Sequence, residues 1–274
     1  MPIPRSLFAS ILLCLAIPLQ GAEVYRWTDG QGRTHYADRP AQGAAPLPIR
    51  EETPFRIVKK VYDGDTLLLD NGDKVRLLGV NTPEIQSHFR QGQAGGDDAR
   101  RWLETRLANR KLKLEADAEA KDHYGRLLAH VFSDSGEHIN LALAEAGLAF
   151  VDIHPPNLKY AGPLCEAQQR AETAKRGVWG MPEYAAQPVQ SVEQQHLQGF
   201  QRLFGTPIRI HDTRAYRKLV FSEYFEANIR KEHLPLFPAI ESYEGKRLEI
   251  RGWISRRKDH YSMLIRHPCG LVAR

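Results

Sequence analysis

The sequence predicts a mainly β protein with helices (α+β): a five-stranded barrel with about three helices around it, followed by a smaller β domain. Three observations predict this. Between Pro54 and Gly180 the apolar periodicity runs as strands, helix, strands, helix, strand, helix. These strands are too few and too interrupted for a sandwich, and they fit a closed barrel of the OB kind. Beyond Phe200 the pattern returns to strands and the charge balance changes sign.

Each element has a local reason. "FRIVKKVY" is the first barrel strand, and "TLLLD" and "DKVRLLG" are joined by Asn71-Gly72, a residue pair suited to a tight hairpin turn. "DDARRWLETRLANR" puts Ala99, Trp102, Leu103 and Leu107 on one helical face. "KLKLEA" and "LLAHVFS" are strands. "NLALAEAGL" is a short helix ending at Gly147, a natural C-cap. "LAFVD" suits a further short strand, and "CEAQQRAETAKRG" is a helix stopped by Gly177. "GTPIRIHD", "KLVFSEYF", "KRLEIRGWISRR" and "HYSMLIRHP" supply the strands of the smaller domain.

The ends and joints read as follows. Residues 1–22 have one arginine, Arg5, then a short apolar run broken by Pro18, then Gly21 and Ala22, the parts of a secretory signal. The protein is therefore expected to be exported, to the periplasm or the medium, with no stable membrane span in the mature chain. Residues 23–50 hold two alternating runs around "DGQG", a hairpin signal, and a linker-like "AQGAAPLP". Residues 51–184 form the barrel domain and 185–274 a linker and basic β domain, with "PVQSVEQQHLQGF" read as a second linker or a helix. Cys165 lies in a helical pattern and reads as a small buried apolar residue. Export would permit a disulfide with Cys269, and nothing in the sequence places the two together.

The formal net charge is +5, unevenly spread. From Glu23 to Gly199 there are 22 Lys+Arg against 25 Asp+Glu, a net of −3; from Phe200 to Arg274 there are 15 against 8, a net of +7. The C-terminal excess suits a polyanionic partner or a solvated basic surface.

The barrel hairpin carries charge that a hairpin does not need. "DGD" puts Asp63 and Asp65 close together, where they repel unless a cation or donors neutralise them. Oxygen ligands without clustered His or Cys favour a hard ion such as Ca²⁺ or Mg²⁺; a solvated turn is the alternative. Arg76 sits among apolar neighbours in "KVRLLGV", and Arg126 begins a strand after "DHYG". Each guanidinium suits a phosphate or carboxylate, or a surface ion pair. "NTPE" ends the hairpin with Glu84 just past Pro83.

Together, "VYDGDT", the arginine of "VRLLGV", "NTPE", "DHYGR", "LLAHVF", "INLALAEAGLAFV" and "KRGVWG" resemble the staphylococcal nuclease (thermonuclease) family, in order, over roughly Phe55 to Gly180. The N-terminal hairpin resembles a small module of unknown function found in exported bacterial proteins, and the last segment looks like a C-terminal, OB-like extension of some bacterial relatives. The family resemblance implies a Ca²⁺-dependent phosphodiesterase, with Mg²⁺ a second candidate, cutting DNA and/or RNA. By motif, Asp65 would ligate the metal, with Asp63 acting through water, and Asn81 and the Thr82 carbonyl would complete the protein ligands. Glu84 would be the general base, and Arg76 and Arg126 would hold the phosphate. Asn81 departs from the aspartate usual there and removes one negative charge from the site, which implies weaker metal binding. His123, where relatives often have lysine, reads as a polar loop residue.

The C-terminal stretch "EIRGWISRRKDHYS" mixes Arg251, Arg256, Arg257 and Lys258 with Trp253 and Tyr261. That mixture suits single-stranded nucleic acid, or a core tryptophan with solvated charges around it. Removing Phe200 to Arg274 is expected to weaken polyanion binding. The alternatives to a nuclease are a catalytically weak or inactive nucleic-acid-binding protein of the cell envelope, and an envelope interaction protein. No protein partner can be named from the sequence.

Overall fold

The computed structural model describes residues 24–39, 44–47, 54–86, 91–193 and 197–274, so the signal-like segment 1–22 lies outside the described residues. The chain divides between Glu52 and Thr53 into two compact units.

The first unit is a three-stranded sheet of β1 (Val24–Thr28), β2 (Thr34–Ala37) and β3 (Ala45–Leu47), with β1 in the centre. The β1–β2 turn is closed by Asp29, whose Oδ1 accepts from the amides of Gln31 (2.9 Å) and Arg33 (3.0 Å). Part of the linker-like stretch is strand instead: Ala45–Leu47 pairs with the second edge of β1, where backbone groups would otherwise lack partners.

The second unit begins with β4 (Arg56–Val61), β5 (Thr66–Leu69), β6 (Lys74–Leu77), β7 (Val80–Asn81) and α1 (Gly96–Leu107). It continues with β8 (Lys111–Glu115), β9 (Leu127–Ser133), α2 (Ile139–Glu145), β10 (Phe150–Val151) and α3 (Ala161–Thr173). Five strands close into a barrel in the order β4-β5-β6-β9-β8, as the sequence predicts. Alternation on each strand sends Leu67, Leu69, Val75, Leu77, Leu112 and Val131 inward, all fully buried. Leu103 and Leu107 of α1, Ile139 and Leu143 of α2 and Leu164 of α3 belong to the same core. Asn140 pins α2 to the barrel: its Oδ1 accepts from Val131 N at 2.9 Å, and its Nδ2 donates to Leu78 O at 2.9 Å.

The C-terminal part contributes β11 (Gln187–Pro188), β12 (Phe200–Gly205), β13 (Arg209–Asp212), β14 (Tyr216–Val220), β15 (Phe225–Arg230), β16 (Leu248–Arg257), β17 (His260–Leu264) and β18 (Leu271–Ala273). They form one sheet in the order β11-β12-β16-β17-β15-β14-β13, with β18 also on β16. The stretch read as a second linker or helix is built into this sheet. Gln187–Pro188 runs parallel to β12, and a short 3₁₀ turn over Val189–Glu193 buries Val189 and Val192. Its polar composition hid two apolar anchors three residues apart.

The C-terminal sheet is fastened to the barrel in three ways. Phe200 stacks on Phe150 (centroids 3.7 Å apart), and Trp253 meets Phe200 edge-on at 5.2 Å. Glu172 and Glu249 accept from Arg202, Arg251 and Arg274 in one ion-pair network. Cys165 of α3 and Cys269 form a disulfide, with Cα atoms 5.9 Å apart across 104 residues of sequence. Cys165 is thus a cross-link and not simply a small core residue. A loop of that length corresponds to about 4–5 kcal/mol in the chain-entropy account. Among the described residues no helix is long and apolar enough to cross a membrane.

Candidate active site

The sequence-singled residues meet at one end of the barrel. Asp63, Asp65, Thr66, Arg76, Asn81, Thr82, Pro83, Glu84 and Arg126 line a single cleft of about 330 Å³. Four local features bring them there. The turn from β4 to β5 carries both aspartates, and Asp65 N donates to Asp63 Oδ1 at 3.0 Å. Gly64 allows this turn to lie flat, because a Cβ there would sit 2.6 Å from both Ala99 Cβ and Thr82 Cγ2. The β5–β6 register sets Thr66 opposite Arg76. The pairing of β7 with β10, Asn81 opposite Phe150, delivers "NTPE" to the same edge.

Asp65 is the hub. Its Oδ2 accepts from Thr82 N (2.9 Å) and Thr82 Oγ1 (3.3 Å). Its Oδ1 accepts from Thr66 Oγ1 (3.0 Å) and pairs with Arg76 Nε (3.1 Å). Arg76 also donates from Nη1 to the carbonyls of Leu77 (2.5 Å) and Val80 (2.6 Å), and from Nη2 to Asn81 Oδ1 (3.1 Å). The guanidinium therefore braces the site as well as charging it. Arg126 is held differently: Nε donates to Asp122 Oδ2 at 2.7 Å, Nη1 lies 3.5 Å from Thr66 Oγ1, and the guanidinium sits over the Tyr124 ring.

Burial, and after it the neighbouring Asp65 charge, pushes the Asp63 carboxyl up to about 6. Among the described residues that line the cleft, the side chains able to ligate a metal are carboxylates, an amide and hydroxyls, with no His or Cys. That set fits a hard divalent ion such as Ca²⁺. The substitution of amide for carboxylate at Asn81 is visible in its contact: Oδ1 meets Arg76 as a neutral acceptor.

Two supporting residues escaped the sequence reading. Asp122 orients Arg126 and also accepts from its backbone amide at 2.9 Å; the Asp-x-x-Gly turn was a legible signal for that role. Thr66, the last residue of "VYDGDT" and the first of a strand, links Asp65 to Arg126, a role its place in the sequence does not signal. His123 lies beside Tyr124, the rings tilted with centroids 3.8 Å apart, in an exposed loop, as a polar loop residue does. A second cleft, about 550 Å³, shares Arg76 and Arg126 with the first and continues past Lys121, Asp152 and His154.

A profile described as "Staphylococcal nuclease homologue" matches residues 74–181. The chain is 39% identical over 126 residues to a thermonuclease of Staphylococcus intermedius, covering 45% of this chain and 74% of that one. The chain belongs to the staphylococcal nuclease family. A thermonuclease of Staphylococcus hyicus is 35% identical over 139 residues, 50% of this chain and 81% of that one. Endonuclease YncB of Bacillus subtilis is 36% identical over 130 residues, 46% of this chain and 61% of that one. By this membership the protein is a hydrolase of the nuclease class. A second profile, "Domain of unknown function (DUF4124)", matches residues 11–55, which include the expected hairpin module at 23–50 and part of the signal-like segment before it.

Proposed function

We propose that this protein is an exported, Ca²⁺-dependent nuclease that hydrolyses phosphodiester bonds of DNA and/or RNA in the cleft between Asp65 and Arg126. The observation that carries the reading is the convergence of Asp63, Asp65, Asn81, Thr82, Glu84, Arg76 and Arg126 on that one cleft. Asp65, Asn81 and the Thr82 carbonyl would hold the metal, with Asp63 acting through water. A calcium ion bound there supplies positive charge to the phosphoryl oxygens and orients the attacking water.

The chain's own residues do the rest. Glu84 accepts the proton of the attacking water. Arg126 donates from Nη1 and Nη2 to the phosphate and meets the charge that grows on it in the transition state; losing one such donor typically costs about a hundred- to a thousandfold in rate. Arg76 adds charge from behind and fixes Asp65 and Asn81 in place. The signal-like segment 1–22 and the Cys165–Cys269 disulfide support export to an oxidising compartment.

The basic C-terminal part would raise affinity for the polyanion. The structure changes which residues suit that role. Trp253 packs with Phe150 and Phe200, Tyr261 is buried, and Arg251 is held by Glu172 and Glu249, so none is a free stacking or phosphate group. Cutting the chain at Phe200 would also uncover Phe150 and Trp179. Arg257 and Lys258, exposed at the β16–β17 turn, remain suited to a backbone phosphate.

The test is cleavage of plasmid and single-stranded DNA and of RNA by the mature protein with Ca²⁺, Mg²⁺ or chelator, with Glu84→Gln and Arg126→Ala as controls. Metal-dependent cutting lost in both variants is the expected result. Binding without cutting at millimolar Ca²⁺ would replace this reading with a nucleic-acid-binding one.

A further inference from the structure

The segment that carries Glu84 is gripped at its backbone by one residue nine positions further on. Gln93 Oε1 accepts from Glu84 N at 2.9 Å, and Gln93 N donates to Glu84 O at 2.8 Å. The side chain and main chain of Gln93 thus close both polar groups of the Glu84 peptide. Gln93 is itself tied to α1, since Gly96 N donates to Gln93 O at 3.1 Å.

The C-terminal part reaches the same loop. Tyr184 Oη donates to Ala94 O at 2.8 Å. A Cβ on Gly199 would come within 3.1 Å of Gln93 Nε2, and Gly199 O accepts from Ile254 N of β16 at 2.9 Å. The clamp is therefore set between α1 on one side and the beginning of the C-terminal sheet on the other.

We infer that Gln93 is a positioning residue that fixes the backbone of Glu84, and through it the place of the Glu84 carboxylate in the cleft. The inference rests on the reading of Glu84 as general base. A carboxylate that must meet one water proton gains from a fixed Cα, because small displacements of a reacting group are costly in rate. Gln93 is exposed and is not among the residues that line the cleft. Its loss should therefore leave metal and substrate binding intact.

The experiment uses the full mature protein with Gln93→Met, which keeps length and removes the acceptor, and Gln93→Glu, which keeps an acceptor oxygen. Both are also placed in a Glu84→Gln background. Kinetics on a defined oligonucleotide at saturating Ca²⁺ give kcat and KM, and calcium titration gives the metal Kd. The expected result is a kcat lower by roughly tenfold in Gln93→Met, as for the loss of one oriented hydrogen bond. KM and the calcium Kd should stay within about twofold, and Gln93→Glu should recover most of the rate. In the Glu84→Gln background Gln93→Met should change nothing further, because both act through one group. An unchanged kcat in Gln93→Met, a Gln93→Glu no better than it, or the same loss with and without the Glu84 carboxylate would overturn the inference. A Glu84→Gln variant with full activity would instead overturn the general-base reading on which it rests.

Discussion

Neutralising one buried carboxylate should loosen the C-terminal sheet from the barrel. Glu249 is 1% exposed. Its Oε1 accepts from Arg202 Nε (2.8 Å) and Arg251 Nε (2.6 Å), and its Oε2 from Arg274 Nε (2.8 Å). Glu172 of α3 meets the same three guanidiniums: Arg251 at 2.6 Å, Arg274 at 2.8 Å and Arg202. Burial alone would raise the Glu249 pKa, but Arg251 and Arg202 outweigh it, and the net shift is downward. In wild type, three positive charges face two negative ones; in Glu249→Gln they face one. Removing one partner of a buried ion pair costs about 3–5 kcal/mol, here because Arg202 and Arg251 stay buried with only Glu172 to offset them. For a unit of this size each kcal/mol moves Tm by about 2–4 °C, so a fall of about 6–20 °C is expected. Urea denaturation and scanning calorimetry at pH 7, with the disulfide intact, read both quantities. A Glu249→Gln variant within about 1 kcal/mol of wild type would refute the reasoning and show the network to be water-screened.

Three further outcomes are expected. Asn81→Asp restores a carboxylate beside Arg76 Nη2 and should tighten calcium binding by roughly tenfold, about 1.4 kcal/mol; an unchanged affinity by calorimetry would sink the charge argument. Gly96→Ala would put a Cβ 2.6 Å from Glu84 O and 2.8 Å from Pro83 O, so kcat should fall by about ten- to a hundredfold; wild-type turnover would show that the loop can yield. The third concerns His130 and His138, whose rings meet at 3.2 Å beneath Tyr160, with Glu115, Asp117 and Lys159 the charged groups around them. Burial pushes both pKa values down to about 4, so the unfolded chain binds more protons than the folded one between about pH 6.5 and pH 4. The stability they contribute is complete above that window and is lost as pH falls through it, by at most about 3 kcal/mol for each ring. Urea midpoints from pH 7.5 to 4.5, compared with His130→Phe, should show a larger drop in wild type than in the variant, which keeps only His138. Equal slopes in the two proteins would count against it.

How far the sequence could be read follows the distance over which its signals act. The barrel strands and helices were legible because each is written in its own periodicity: Leu67 and Leu69 alternate on β5, and Ala99, Leu103 and Leu107 recur on α1. The convergence of Asp65, Asn81, Glu84 and Arg126 was also legible, since their motifs come in order and the hairpin register fixes most of the geometry. What stayed hidden was decided by partners far along the chain. Nothing near Cys165 points to Cys269, 104 residues away, and nothing near Glu172 points to Arg251 or Arg274. Gln93 had no signal, because its role depends on where a loop folds back and not on its residue type.

The same reasoning revises the meaning of the C-terminal charge. A net of +7 over Phe200–Arg274 looks like a polyanion surface when read as composition. In the fold, Arg202 and Arg251 are buried against Trp179, and with Arg274 they hold Glu172 and Glu249. Glu172 lies outside the C-terminal count, so part of the apparent excess is matched by a carboxylate of the barrel. Arg217 and Lys231 are likewise paired with Asp212, and Lys218 with Glu226. The charge that attaches the sheet to the barrel is therefore distinct from the charge left to face a nucleic acid. Basic composition is evidence of affinity only for those residues, such as Arg257 and Lys258, whose side chains the fold leaves at the surface.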